Sequence, residues 1–333
     1  MLNMLLWIAG FIILLVKLMI ILGVLLFFAG YLVWVERKFL ARLQIRYGPN
    51  RAGPYGLLQP LADIVKMLVK EDTVPDGADR AFFLIAPAVV AATAILMFSV
   101  VPFGKDLTLW GQKVPLVVTD LNIGLLFVFA MSSLGVYGVA LGGWASNSKY
   151  GLLGGIRGAA QMISYELPLG LSLVPIVMMA HSFSMVKIVA AQQKYPFILF
   201  QPLAFMIFAI SSMAESKRIP FDLPEAENEL VAGYHTEYSG MRFGLFFLGE
   251  YVHIMVFGAI MSVLFLGGWR GPFLPPVVWL LIKILAVALF MIWVRGTLPR
   301  LRYDQLMALG WKVLIPLALI NILATGAVGL MIN

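Results

Sequence analysis

Eight times in this chain an almost unbroken apolar run appears, each close to the roughly 20 residues with which a helix crosses the hydrocarbon layer of a bilayer. Inside that layer every backbone amide must find its partner within the segment, so runs of this kind fold as helices. They lie at about 4–34, 81–103, 119–143, 157–181, 196–215, 243–268, 276–294 and 310–331. The pattern predicts an all-α, polytopic integral membrane protein with eight transmembrane helices. It forms a single membrane domain over 1–333, with its longest loops at 35–80 and 216–242. Composition points the same way: 12% of the residues are charged and 61% hydrophobic, whereas soluble proteins carry about 25% charged residues. The first run is longer than the apolar core of a signal peptide, roughly 7–15 residues, and is read as a span that tilts or projects beyond the membrane.

The charges that remain are placed unevenly. Seventeen Lys and Arg side chains fall in the loops on one side of the eight spans, and five (Lys105, Lys113, Lys187, Lys194 and Arg270) on the other. Basic loops stay in the cytoplasm, which puts both termini on the opposite, periplasmic side. The net charge of +7 is therefore a topology signal, not a nucleic-acid-binding surface. The first basic loop opens with turn chemistry, Gly48-Pro49-Asn50-Arg51-Ala52-Gly53-Pro54. Leu57, Leu61, Ile64, Val65 and Leu68 then recur at helical spacing, with Asp63, Lys66 and Lys70 on the other side. This is an amphipathic helix suited to the cytoplasmic membrane surface.

One segment breaks the apolar pattern. Between Glu215 and Glu237 stand six carboxylates: Glu215, Asp222, Glu225, Glu227, Glu229 and Glu237. Further acids sit at or inside the spans, at Glu36, Asp63, Glu166 and Glu250. An intramembrane glutamate is costly and snorkels poorly, so a buried functional carboxylate is the default reading for Glu166. Lys17 and Lys283 are also intramembrane, but their long stems allow snorkelling or contact with a neighbouring subunit. Burial and neighbouring carboxylates both favour protonation, so the acids form a candidate proton-holding group. Glu225 and Glu229, four apart, would share a face if that piece is helical. Two plainer readings compete: a solvated acidic loop, and a static ion-pair network with Arg37, Arg46, Arg218 and Arg295.

Other chemistries find little support. The chain has no cysteine, which removes disulfides, thiolate-bound zinc and cysteine-held iron–sulfur clusters. His181, His235 and His253 lack metal-ligand spacing, and a haem between His181 and His253 is disfavoured because one lies at the end of its span and the other well inside another. Gly154-Gly155-Ile156-Arg157-Gly158 opens a membrane helix, where glycines serve close packing, and no phosphate-binding loop is present. No catalytic residue, metal site or redox centre belongs to this chain alone.

Several long motifs, in order along the chain, resemble one family of NADH–quinone oxidoreductase components, the membrane subunit of respiratory complex I that lies beside the quinone site. They are Glu36-Arg37-Lys38, Gln44-x-Arg46-Tyr47-Gly48-Pro49-Asn50-Arg51-x-Gly53, Gln59-Pro60-x-x-Asp63-x-x-Lys66, and Gly143-Trp144-Ala145-Ser146-Asn147-Ser148-Lys149-Tyr150. Ala160-Gln161-x-x-Ser164-Tyr165-Glu166, Pro220-Phe221-Asp222-x-Pro224-Glu225-x-Glu227-x-Glu229-Leu230 and Leu298-Pro299-Arg300-x-Arg302-Tyr303-Asp304-Gln305-Leu306-Met307 follow. The resemblance implies a quinone cavity shaped by Arg37, Arg46, Asp63, Lys66, Phe221 and Arg295. It implies a proton relay through Glu36, Glu166, Glu215, Glu225, Glu227, Glu229 and Glu250. Quinone is then the substrate, while FMN and iron–sulfur clusters reside in partner subunits. Partners would be the hydrophilic quinone-site and iron–sulfur subunits of the peripheral arm, and the small and antiporter-like membrane subunits. Some relatives carry a glutamate in the third span where this chain has Ser133. The motif wording, including Gly233-Tyr234-His235-Thr236-Glu237-Tyr238-Ser239-Gly240, resembles bacterial members and implies the inner membrane. Rival readings are the equivalent subunit of a membrane-bound hydrogenase or related dehydrogenase, a stand-alone ion transporter, and a passive anchor.

Overall fold

The computed structural model describes the backbone of residues 2–104, 107–109, 112–114 and 116–332, and the side chains in that range other than those of residues 2–14, 17, 107–109, 112–114, 227 and 332. Lys17 and Glu227 thus lie outside the described side chains. Seven helices among the described residues are long and apolar enough to cross a membrane, and an eighth, of 14 residues, is shorter. The eight predicted spans are all helical, and the all-α expectation holds apart from a two-stranded hairpin, β1 (Leu107–Leu109) and β2 (Gln112–Val114), in one inter-span loop.

Helix α1 (Leu2–Leu43) runs nine residues past the predicted end, because Glu36 to Arg42 continue the helix with charged side chains at its tip. A folded turn leads to α2 (Gln59–Val69), the amphipathic helix. At Gly56 the backbone adopts φ +77, and an added Cβ would stand 2.2 Å from the Pro49 carbonyl oxygen, so only glycine fits this turn. Trp34 Nε1 donates to the Tyr55 carbonyl at 3.3 Å and holds the turn against α1. Leu61, Ile64, Val65 and Leu68 of α2 face outward, as a helix bedded on a membrane surface requires.

Helices α3 (Arg80–Phe98), α4 (Gly124–Ala145) and α5 (Lys149–Ala180) follow as spans, with Asp79 capping α3 by accepting from the Ala81 and Phe82 amides. Helix α5 begins eight residues before the predicted boundary, because Gly151, Gly154 and Gly155 allow it to lie against α4 in close contact: a Cβ on Gly143 would meet the Gly151 carbonyl oxygen at 2.3 Å. A short helix α6 (Met185–Ala191) and a 3₁₀ turn at Phe197–Leu199 precede α7 (Pro202–Glu215). Pro202 at the helix start explains why α7 is shorter than the apolar run 196–215. The acidic segment contains one four-residue helix, α8 (Glu227–Leu230). Helix α9 (Gly240–Phe265) is the centre of the bundle, buried at nearly every position from Gly249 onward and packed by α1, α3, α7 and α10. Helix α10 (Pro276–Thr297) follows. The last span starts as α11 (Tyr303–Ala308), widens into a π-helical turn at Leu309–Leu314, and continues as α12 (Ile315–Ile332), so it begins seven residues earlier than the apolar run.

Lys283 shows how α9 ends. Its Nζ donates to the carbonyls of Leu266, Gly268 and Arg270 at 2.7, 2.8 and 2.7 Å. The first is a carbonyl that the helix end leaves open, and the other two belong to the turn that follows it. The lysine neither snorkels nor reaches out to a neighbour; it closes the α9–α10 turn. Lys283→Met should therefore destabilise this turn by about 2 kcal/mol, read as a lower midpoint of thermal unfolding in detergent. An unchanged midpoint would mean the three carbonyls are satisfied without it.

Candidate functional site

The ends of α1, α4, α7 and α10 meet the beginnings of α3, α5 and α9 at one end of the bundle, where both long loops also lie. The acidic segment is wedged there against α5. Gln161, fully buried on α5, donates through Nε2 to the carbonyls of Ala214 (2.7 Å) and Phe221 (2.6 Å), tying the segment down at its start. Further on, Gly233 takes φ +61, and the Tyr234 amide donates to the Pro224 carbonyl at 3.3 Å. Gly154 of α5 faces this crossing so closely that a Cβ would meet the Tyr234 amide nitrogen at 2.6 Å. The loop thus lies where α5 has no side chains.

This docking carries Lys217 and Arg218 into the bundle, where they are 3% and 6% exposed. Arg218 donates through Nη1 to both oxygens of Glu36 at 3.1 and 3.3 Å, and its Nη2 lies 3.8 Å from Glu250 Oε2. Arg295 from the end of α10 donates to the same Glu36 carboxylate. The Arg218 guanidinium stacks 4.3 Å above the Tyr251 ring. Burial opposes charge on Arg218, but Tyr251, Glu36 and Glu250 outweigh it and hold the guanidinium protonated. Two arginines and two glutamates thus meet in one buried cluster. Lys217 donates to the Tyr234 hydroxyl at 3.3 Å and sits 4.9 Å above its ring. Burial, with Glu250, Glu225 and Asp222 nearby, keeps the Tyr234 phenol far above its usual range and therefore protonated.

Beside this cluster is a cavity of about 160 Å³, bordered by Lys217, Arg218, Asp222, Glu225, Tyr234, His235, Phe247, Glu250 and Arg295. Glu225 hydrogen-bonds Glu250 across it and lies 4.0 Å from His235 Nδ1. Behind it, two adjacent serines of α4 reach two carboxylates on different helices. Ser132 donates to Glu215 of α7 at 2.6 Å, and Ser133 donates to Glu166 of α5. Glu215 is 1% exposed, and Glu166 is near enough to act on it electrostatically. Tyr165, also fully buried, donates to the Leu306 carbonyl at 2.8 Å beside the π-helical turn, which fixes this part of α5 against the last span. A second, apolar groove of about 370 Å³ runs between α1, α9 and α10, bordered by Phe27, Phe28, Tyr31, Trp34, Met255, Leu281 and Leu285.

The expected quinone-site residues separate into four places. Arg37 and Asp63 pair at 2.8 Å with Lys66 3.9 Å away, joining α1 to α2. Arg295 lies in the buried cluster, and Phe221 is buried 5.6 Å from the Tyr165 ring. Arg46 is exposed and bonds Gln44 at 2.7 Å. Of the relay candidates, Glu225 and Glu250 border the cavity, Glu166 and Glu215 meet the serine pair, and Glu36 pairs with the cavity-lining Arg218 and Arg295. Glu229 does none of these: it lies on the outside, 2.7 Å from Arg157 and 3.9 Å from Arg300. The Arg157 hydrogen bond holds its carboxyl below the usual range, so it stays ionised. The idea that Glu225 and Glu229 share a helix face is corrected, because Ala226 turns left-handed (φ 33) and α8 starts only at Glu227. Lys217, Tyr234 and Ser132 escaped the sequence reading of the site, and His253 entered it only as a disfavoured haem ligand. Lys217 adjoins the expected cation Arg218, and that adjacency was the available signal.

A family model described as NADH dehydrogenase matches residues 16–326. The second H-type subunit of the NADH-quinone oxidoreductase of Syntrophobacter fumaroxidans is 78% identical over 324 residues, covering 97% of this chain and 98% of that protein. The first H-type subunit of the same enzyme in Geobacter metallireducens is 66% identical over 312 residues (94% and 95% covered). Its counterpart in Syntrophotalea carbinolica is 63% identical over 316 residues (95% and 96% covered). With a match that runs from within the first span to within the last and takes in the whole buried cluster, this chain belongs to the NADH dehydrogenase family.

Proposed function

We propose that this chain is the membrane subunit of a proton-pumping NADH:quinone oxidoreductase, in which it shapes the quinone cavity and couples quinone reduction to proton movement. The supporting observation is a polar track inside an apolar bundle: cavity, Glu225 and Glu250, the Arg218–Glu36–Arg295 cluster, then Glu215 with Ser132 and Glu166 with Ser133. A static ion-pair network needs no cavity and no carboxylates beyond it; a relay needs both.

Quinone is the substrate, and its apolar tail suits the groove between α1, α9 and α10. Electrons reach it from iron–sulfur clusters, fed by FMN, in hydrophilic partner subunits docked on the basic loops. Reduction takes up two electrons and two protons, and the negative charge that builds up raises the proton affinity of the carboxylates around it. Glu225 and Glu250 take up protons first; Glu215 and Glu166 pass them on toward small and antiporter-like membrane subunits. Ser133 serves where some relatives carry a glutamate: its hydroxyl orients Glu166 without adding a charge. The exposed, ion-paired Glu229 anchors the acidic segment to Arg157. Arg37, Asp63 and Lys66 fix α2 at the mouth of the cavity. The chain works as one membrane unit of a bacterial inner membrane, its basic loops in the cytoplasm and both termini in the periplasm.

Glu166→Gln keeps the hydrogen bond to Ser133 but removes the transferable proton. In the assembled complex it should lower quinone reductase activity and proton pumping by roughly tenfold, as should Glu227→Gln. The NADH–ferricyanide activity of the peripheral subunits should stay intact. Wild-type pumping in both variants would sink the reading.

A further inference from the structure

His253 is a buried titratable side chain that the relay just described does not use. It stands three residues after Glu250 on α9, so the two side chains leave the helix on one face. The ring is 3% exposed, 5.9 Å from the Phe257 ring, and its Nδ1 has no hydrogen-bond partner. Leaving a buried polar atom in that state is unfavourable, and a leucine in the same apolar surroundings would avoid it. Glu215 repeats the pattern on α7, where Ser132 satisfies Oε1 and Oε2 has no partner. The Lys217 ammonium connects the two, being near enough to Glu215, His253 and Glu250 to act on all three electrostatically. Three proton-carrying side chains from two helices, two of them with an unpartnered buried atom, thus lie within electrostatic reach of one buried cation.

We infer that His253 is the proton-carrying link between Glu250 and Glu215, joining the cavity half of the track to the serine half. The inference rests on the function proposed above. In the transfer, the protonated Glu250 carboxyl gives its proton to Nδ1 while Nε2 releases its proton to the Glu215 carboxylate, directly or across an ordered water. Glu250 is left ionised, Glu215 protonated, and the ring neutral in its other tautomer. With a cation beside it, the coupled transfer leaves the net charge of the ring unchanged. The starting tautomer returns when Nδ1 gives its proton to ordered water and Nε2 takes one from it.

The test uses His253→Asn, His253→Gln and His253→Phe in the whole complex, in inverted membrane vesicles. The first two keep hydrogen-bonding groups and lose the transferable proton. Measured are the ratio of proton pumping to NADH oxidation and the solvent deuterium effect on that ratio, with NADH–ferricyanide activity and native gels reporting assembly. The expected result is a roughly tenfold lower ratio in assembled Asn and Gln variants, together with a changed isotope effect. A packing role would leave both unchanged in an assembled variant, and that outcome overturns the inference. So does failure of all three variants to assemble, which would make His253 a residue of the bundle core. Glu166→Gln separates the two levels: if it stops pumping while the His253 variants pump normally, only the histidine link falls. If Glu166→Gln and Glu227→Gln also pump normally, the proposed function itself falls.

Discussion

Arg218→Met is expected to abolish quinone reductase activity and most assembly of the complex. Arg218 answers two buried glutamates, Glu36 at 3.1 Å and Glu250 at 3.8 Å, and reaches them from a loop that the bundle has folded inward. Without it, Arg295 alone faces Glu36, and Glu250 is left beside Glu225 with no arginine. Removing one partner of a buried ion pair costs about 3–5 kcal/mol, because the other charge stays behind in a poorly solvated site. Methionine fills most of the volume, so the loss reports the charge more than the packing. The double variant Arg218→Met/Glu250→Gln should recover part of the assembly, since the two changes meet at one contact and are not additive. Native gels of solubilised membranes would measure both. A single variant that assembles and turns over like wild type would show that the cluster has no structural role.

Gly233→Ala should be almost as damaging, for a steric reason. Gly233 holds φ +61, a conformation that costs a residue with a Cβ roughly 1–2 kcal/mol. The added Cβ would stand 1.7 Å from the Pro224 carbonyl oxygen. Backbone must move to relieve that overlap, and the backbone in question carries the Tyr234–Pro224 hydrogen bond that seats the acidic segment on α5. A total loss of roughly 3 kcal/mol or more is expected, with quinone reductase activity lost alongside thermal stability. Gly30→Ala is the control. It lies within α1, a Cβ there meets nothing within 4 Å, and alanine in a helix is favoured over glycine by about 0.5–1 kcal/mol. Equal behaviour of the two variants would refute the docking argument.

The contrast between these glycines shows how legible the site was. Gly30 and Gly233 look alike in the sequence; one is spacious and the other sterically required, and only the crossing of Pro224 tells them apart. The glycines at Gly154, Gly155 and Gly158 did signal close packing, and Gly151 extends the run. However, Gly151 and Gly155 receive α4, Gly154 receives the acidic segment and Gly158 meets both, a division that helical periodicity does not encode. Glu225 and Glu229 illustrate the same limit. Their spacing of four places them together on a helix, but the left-handed turn at Ala226 sends one to the cavity and the other to Arg157.

From its sequence alone the chain was bound to be eight apolar helices with two charged loops on one side. Hydrocarbon leaves the backbone no other way to pair its amides, and seventeen basic residues against five bias the loops. Local chemistry likewise settled the turn at Gly48–Pro54, the amphipathic α2 and the placement of acids within spans. Tertiary structure decided which charges met. Arg218 and Glu36 are separated by 182 residues along the chain, Arg295 and Glu36 by 259, and Ser132 and Glu215 by 83. A buried charge is stable only where an opposite charge or a hydroxyl lies within a few ångströms. That distance is set by how helix ends are brought together around α9, which no local stretch of sequence specifies.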